Sequence, residues 1–267
     1  MTFWDTLDPN YRVILCDVWG VIHDGKRPYP GAVERLLRWQ SEGRCVVLIT
    51  NAPRPKEAVE TYLERVGVPD GAWDAIASSG EAGIAVLREL GRPVGLLGTP
   101  GDRVDLESHG VSVTDDGDFT DLCCTGFEEH RWEIEEYTAD LERWGACGVH
   151  MHCLNPDRIV LYGSRQIPCA GAIADVYEAI GGKVSWYGKP YPAIYEHALR
   201  RAGVPAREQV LAVGDGLQTD MLGAARMGFD AVFVSGGIHA GEPFPQDFAD
   251  RHGLGDWRPV AVVESLL

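Results

Sequence analysis

Four places in the chain carry polar side chains that could do chemistry together: Asp17, the pair Thr50-Asn51, Lys189, and the run Gly214-Asp215-Gly216-Leu217-Gln218-Thr219-Asp220. Asp17 and Asp215 each close on an apolar stretch, and two carboxylates brought into one crevice repel each other unless a cation lies between them. Mg2+ meets that need. It prefers hard oxygen ligands and takes one or two carboxylates, leaving its other positions to water and substrate phosphate. Asp220, beyond Asp215 near the next helix start, is placed to hold a metal-bound water or to orient the loop. Lys189, within Gly188-Lys189-Pro190, could neutralise both a carboxylate and a transferring phosphoryl group, although a single lysine before proline is more often simply solvated.

The elements that must position these residues are legible in the apolar pattern. Tyr11 to Asp17 is a short, nearly continuous apolar run ending in a carboxylate, as in a strand buried on both faces of a parallel sheet. A Gly/Pro-rich loop follows, then helical spacing over Ala32 to Ser41, stopped by Gly43. Cys45 to Ile49 reads as a second strand closing on Thr50-Asn51, and Pro55 to Val66 as a helix ending at Gly67. The alternation returns late, with a helix over Pro192 to Ala202, a strand over Val210 to Val213, a helix over Leu217 to Met227 and a strand over Ala231 to Val234. Strand and helix in alternation imply parallel pairing. The expected fold is therefore α/β, a doubly wound parallel sheet. Ligands collect beyond the carboxyl ends of such strands, so the polar residues would converge on one crevice.

Between the two ends lies too much chain for a loop. It has strands near Val94–Leu97, Leu122–Thr125 and Val149–Cys153, and helices over Ile134 to Trp144 and Gly171 to Ile180. The expected division is a core from residues 1–79 and 186–267 with an inserted α/β domain at 80–185, set over the strand ends.

Bulk properties narrow the partners. The chain has 267 residues, 45% apolar and 24% charged, an ordinary globular composition able to bury a sizeable core. Its formal charge of −16 argues against nucleic acid or an anionic membrane as partner. A small phosphate ester is still admissible if the site is locally positive, because salt screens the global field beyond about 10 Å. No apolar run approaches the roughly 20 residues needed to cross a bilayer, and no export signal is visible, so a cytoplasmic location is expected. Seven cysteines without a C-x-x-C pair fit reduced thiols rather than a disulfide framework.

The order strand-Asp, strand-Thr-Asn, Gly-Lys-Pro-helix and strand-Gly-Asp-x(4)-Asp resembles, over essentially the full chain, the four-part arrangement of the haloacid-dehalogenase superfamily. The insert between Thr50 and Lys189, with Asn155-Pro156-Asp157 and Cys169-Ala170-Gly171-Ala172-Ile173, resembles the large C2-type cap of its subfamily IIA, the NagD-type and nitrophenylphosphatase-like proteins. The resemblance implies an Mg2+-dependent phosphatase of a small phosphorylated metabolite. Asp17 would be the nucleophile, Thr50 the phosphate-binding hydroxyl with Asn51 beside it, and Lys189 the charge-balancing, phosphate-binding lysine. Asp17, Asp215 and the main-chain carbonyl of Trp19 would hold the metal, with Asp220 as the trailing acid behind them. Cap-mediated homodimers occur among such proteins, but no stretch here specifies an interface.

The sequence departs from that pattern at one position. Phosphatases of this kind usually read Asp-x-Asp, the second acid exchanging a proton with the leaving group and with water. Here that position is Trp19, whose indole cannot exchange it, although its main-chain carbonyl can still face a metal. Losing such assistance typically costs about 10²- to 10⁴-fold, so esters with poor leaving groups should react slowly. His23 is the nearest candidate for a substitute, although a loop histidine is more often solvated. Two alternatives follow from Trp19: a phosphoryl-ligand binding or regulatory protein with little turnover, and a carbon-halogen hydrolase working without metal. Asp17 opposes the first, since its nucleophilic role would be idle, and Asp215 opposes the second.

His150-x-His152 places two imidazoles on one face of a strand, as a metal pair requires, with Cys153 beside them. The more useful reading is that this strand runs toward the crevice, so that His152, Asn155 and Asp157 take part in substrate selection. The chain has neither a Gly-x-Gly-x-x-Gly nor a Gly-x(4)-Gly-Lys-Ser/Thr loop, so a nucleotide cofactor is not expected.

Overall fold

The computed structural model describes residues 2–162, 165–237 and 241–267. The chain begins with β1 (Val13–Asp17), α1 (Ala32–Ser41), β2 (Cys45–Thr50), α2 (Lys56–Val66) and β3 (Ala75–Ser78). It continues through α3 (Ser79–Glu89), β4 (Gly95–Leu97), α4 (Pro100–Ser108), β5 (Asp121–Cys124), α5 (Thr138–Ala146), β6 (His150–Cys153), β7 (Ile159–Tyr162), β8 (Arg165–Pro168), α6 (Ala170–Ala179) and β9 (Lys183–Trp186). It closes with α7 (Pro192–Arg201), β10 (Val210–Gly214), α8 (Leu222–Met227), β11 (Asp230–Val234), α9 (Phe248–His252) and β12 (Ala261–Val263).

Both ends of the chain share one six-stranded sheet in the order β12-β11-β10-β1-β2-β3, parallel throughout. All five residues of β1 are buried. Ile14 and Cys16 pack on one face with Leu36, Trp39 and Leu63 of α1 and α2, and Val13 and Leu15 on the other with Ile194, Ala198 and Ala224 of α7 and α8. Two covered faces explain why the strand reads as a continuous apolar run rather than an alternation. The chain winds from β1 toward β3 on one side and returns through β10 toward β12 on the other. Strand order thus reverses between β1 and β10, where open α/β sheets form a ligand crevice.

A second sheet of four parallel strands, β4-β5-β6-β9, lies between the two halves of the core sequence, and β7 and β8 form a separate antiparallel pair. One face of this sheet packs on α5 and α6 through Leu141, Ile173 and Tyr177, and the other on α3 and α4 through Leu87 and Leu106. Trp186, expected in the core, is the last residue of β9 and pairs with Cys153. No helix among the described residues is long and apolar enough to cross a membrane.

Several elements differ from the periodic reading. The first strand starts at Val13 rather than Tyr11. The helix expected over Ile134 to Trp144 opens as a 3-10 turn, Ile134–Tyr137, before α5. The helix expected from Leu217 opens as a π-turn, Leu217–Met221, in which the Met221 N–H reaches back to the Gly216 carbonyl at 3.0 Å. Widened turns of this kind concentrate at functional sites, and this one carries Asp220.

Candidate active site

Strand ends set the site. Asp17 ends β1, Thr50 ends β2, and Asp215 follows Gly214 at the end of β10. All three are buried, as are Asn51, Lys189 and Asp220. Carboxylate oxygens of Asp17, Asp215 and Asp220 lie within 4.8 Å of one another. The Lys189 ammonium donates to Asp17 Oδ1 and, at 2.8 Å, to Asp220 Oδ1. Asp220 uses its other oxygen to accept the Gly216 N–H at 3.0 Å. It therefore fixes both the lysine and the loop that carries Asp215.

The Lys189 ammonium serves two of these three buried carboxylates, Asp17 and Asp220. Burial pushes Asp17 well above the ordinary carboxylate range, and the charges of Asp220 and Asp215 add to that push while Lys189 opposes it. Burial works against the Lys189 charge, yet Asp17 and Asp220 outweigh it and hold the ammonium above its usual value. A divalent cation fits this donor set of three closely spaced carboxylates, since it takes hard oxygen ligands. The surrounding backbone keeps room for Asp215 alone. Gly20 has φ of +79°, and a Cβ there would stand 1.9 Å from Asp215 Oδ2; a Cβ on Gly237 would stand equally close to the same oxygen.

A cavity of about 900 Å³ opens over the strand ends. Asp17, Trp19, Thr50, Asn51, Lys189 and Asp215 line it from the core, and Asn155, Pro156, Asp157, Arg158 and Val160 from the inserted part. Asp220 is not among its lining residues and stands behind Lys189. Asn155 accepts the Asp157 N–H through its side chain at 3.1 Å, and Asp157 accepts from the Asn51 amide at 2.8 Å. Burial raises the Asp157 carboxyl, opposed by the Asn51 bond and the Lys189 charge.

His152 does not reach this cavity. It is buried in the second sheet, with Nε2 3.0 Å from Asp121 Oδ1 and Nδ1 2.7 Å from the Tyr187 hydroxyl. The expected place of His152 beside the substrate is thus corrected: its ring points into the sheet's own polar network, while Asn155 and Asp157, beyond the strand end, do face the cavity. His150 and His152 lie on one face as the period-2 pattern requires, and register adds Asp121 opposite His150. The second Asp121 oxygen is already held by Arg92 and Thr120.

His23 is buried rather than solvated, and its Nδ1 accepts the Gly25 N–H at 2.9 Å. Burial lowers its pKa to about 4, so the ring is neutral near pH 7 and is not a ready proton donor. Trp19 is half-buried, edge-on to His23 at 4.8 Å between ring centroids and stacked on Tyr62 of α2 at 5.7 Å. Tyr62, with Arg54 and Arg65 nearby on the same wall, was not singled out by sequence reasoning. The available signal was the position of α2, which follows directly on Thr50-Asn51 and must border the crevice.

These features are those of a doubly wound α/β protein with a crevice at its strand-order switch, and comparison with known proteins narrows the class. A profile described as haloacid dehalogenase-like hydrolase matches residues 14–112, and a second HAD-hydrolase-like profile matches residues 186–267. A haloacid dehalogenase-like hydrolase from Brucella suis is 32% identical, covers 98% of both chains and superposes with a TM-score of 0.87. The p-nitrophenyl phosphatase of Archaeoglobus fulgidus is 25% identical over 96% of this chain and 97% of its own, with a TM-score of 0.74. Ribonucleotide monophosphatase NagD of Escherichia coli is 28% identical over 84% of this chain and 88% of its own. The chain belongs to the haloacid dehalogenase-like hydrolases, within subfamily IIA, the NagD-type proteins.

Proposed function

We propose that this chain is a divalent-metal-dependent phosphatase of a small phosphorylated metabolite, with Asp17 as nucleophile. The observation that carries the reading is the buried Asp17, ion-paired to Lys189 and grouped with Asp215 and Asp220 at the β1/β10 switch. Similar proteins named as phosphatases, NagD and the p-nitrophenyl phosphatase among them, support the same class.

An Asp17 oxygen attacks phosphorus as the bond to the leaving oxygen breaks, giving an aspartyl phosphate that water then cleaves to regenerate the carboxylate. Lys189 favours the ionised form of Asp17 and balances phosphoryl charge; Thr50 binds a phosphoryl oxygen. Mg2+, held by Asp17, Asp215 and the Trp19 carbonyl, would supply charge stabilisation on the phosphoryl oxygens. Asp220 holds Lys189 and the 216–219 loop in place. Residues 80–185 act as the cap, closing the cavity to water and selecting substrates through Asn155 and Asp157.

Trp19 supplies no proton, and neutral His23 does not replace it, so a leaving group must depart largely unaided. Aryl and acyl phosphates should outpace alkyl phosphates. All seven cysteines are free thiols, in keeping with a reducing, cytoplasmic setting. The test is phosphate release from p-nitrophenyl phosphate and acetyl phosphate, with Mg2+ or EDTA, for the native chain and Asp17→Asn. Turnover that vanishes with EDTA and with Asp17→Asn supports the reading; turnover that survives either one sinks it. Because Trp19 removes the usual acid, phosphate binding without turnover would favour the second reading, a phosphoryl-ligand binding protein.

A further inference from the structure

The Asn51 side chain, expected on the phosphate, is already engaged. Its Nδ2 donates to Asp157 Oδ1 at 2.8 Å and to the Lys189 carbonyl at 3.2 Å, and its Oδ1 accepts the Lys189 N–H at 2.7 Å. An amide has two donor hydrogens, and both are taken. Asn51 therefore clamps the Lys189 main chain from both sides, and the same lysine sends its ammonium to Asp17 and Asp220.

Asp157 reinforces the orientation of that clamp, which the Lys189 N–H and carbonyl also favour. Oxygen and nitrogen of an amide are nearly the same size, and only their partners decide which way it faces. A carboxylate accepts and does not donate, so Asp157 requires Nδ2 on its side and thereby leaves Oδ1 for the Lys189 N–H. A flipped amide would set Nδ2 against the Lys189 N–H and turn Oδ1 toward the Lys189 carbonyl and the Asp157 carboxylate, and without Asp157 the penalty for that flip is smaller. Asp157 is itself held: Asn155 accepts its N–H, and its carbonyl accepts the Gly171 N–H at 3.0 Å. The segment is also wedged against the core, since a Cβ on Gly188 would stand 2.4 Å from Asn51 Oδ1 and 2.5 Å from Pro156 Cδ.

We propose that Asp157 is a positioning residue: from the segment between β6 and β7 it orients the Asn51 amide, which clamps the Lys189 main chain and so aims the Lys189 ammonium at Asp17. Placement of the charge-balancing lysine thus depends on the inserted part resting on the core. The catalytic consequence rests on the phosphatase reading; the placement of Lys189 does not.

Two readouts test it on the full chain. The first is kinetic, with p-nitrophenyl phosphate. Asp157→Ala should lower kcat on the order of 10- to 10²-fold, as small misplacements do, whatever its effect on KM. Asp157→Asn retains an acceptor oxygen and should recover most of the rate. The double variant Asn51→Ala/Asp157→Ala should be no slower than Asn51→Ala alone, because residues acting through one another are not additive. Effects that multiply would overturn the proposal.

The second readout needs no turnover. Acetylation of lysines, followed by peptide mass spectrometry, should find buried Lys189 protected in the native chain, with Lys26, Lys56 and Lys183 as more exposed internal references. Asp157→Ala should raise Lys189 labelling on the order of 10-fold relative to those references through local opening, and Asp157→Asn should not. If Asp157→Ala does not fold, Asp157→Ser, polar but too short to reach Asn51, takes its place. Unchanged Lys189 protection would overturn the proposal. A native chain without turnover would remove the phosphatase reading, and labelling alone would then decide the role of Asp157.

Discussion

Two buried polar clusters stand on the two sheets, and they are balanced differently. At the core strand ends, Asp17 and Asp220 hold the ammonium of Lys189, with Asp215 beside them. On the inserted sheet, Asp121 is met by the Arg92 guanidinium, the Thr120 hydroxyl and His152, whose other nitrogen is bonded to Tyr187. The first gathers three carboxylates whose oxygens lie close enough to hold one cation. The second satisfies itself. Burying like charges together is costly, and at the β1/β10 switch burial and the neighbouring acids push Asp17 well above the ordinary carboxylate range, a cost that a bound cation would offset. A sheet network with every partner in place stabilises its own domain and needs no ligand.

If that contrast is sound, substitutions in the two clusters should separate activity from stability. The largest effect belongs to Asp17→Asn, which would remove the proposed nucleophile and should cost on the order of 10⁴-fold or more in turnover. It should also relieve repulsion in the crowded site, so the melting temperature in EDTA should not fall. A fall of several degrees would show that Asp17 belongs to the fold as much as to the site.

Next is Gly237→Ala. The added methyl would meet Asp215 Oδ2 at 1.9 Å, and displacing a carboxylate ligand should weaken Mg2+ binding by about 10²-fold. Calorimetric titration of Mg2+ reads this directly, and unchanged affinity would remove Asp215 from the metal set. A further step down is Trp19→Asp, which restores an acid where the indole now stacks on Tyr62. Alkyl phosphate turnover should rise relative to aryl by up to about 10²-fold. An unchanged alkyl/aryl ratio would mean that the proton already comes from elsewhere.

How much of this contrast was readable in the chain depends on sequence distance. β1, β2, β10 and β11 are continuous apolar runs because both faces of their sheet are covered, and Asp17, Thr50 and Asp215 follow as strand ends. β3 and β9 are four residues long with mixed polarity, and β12 is only three, all too short for a pattern. Gly80 and Gly83 weaken the helical signal of α3. Period 2 put His150 and His152 on one face, but their partner Asp121 comes from the register of β5 on β6, which one sequence does not show. The Asn51 to Asp157 bond joins residues 106 apart along the chain. Lys189 was legible as a lysine before a helix, but what clamps it was not.

The smallest effect on activity should come from Asp121, and it sharpens the comparison most. Its carboxyl is lowered to about 2: burial alone would raise it, but bonds from Arg92, His152 and Thr120 outweigh burial. An acid whose folded pKa lies below its unfolded value of 3.8 adds stability that is present above the unfolded pKa and lost as pH falls through the folded one. The depression corresponds to about 2 kcal/mol at most, and because Arg92 is half exposed, solvent screening reduces this to about 1 kcal/mol. Between pH 5 and about pH 2 the native chain should lose this increment, and Asp121→Asn should lack it at every pH. Urea melts of both proteins across that range measure the difference. Turnover of Asp121→Asn near pH 7 should match the native rate within about threefold, as for a site with no part in the chemistry. A large loss of activity with intact stability would make the inserted cluster a second working site and end the distinction between the two sheets.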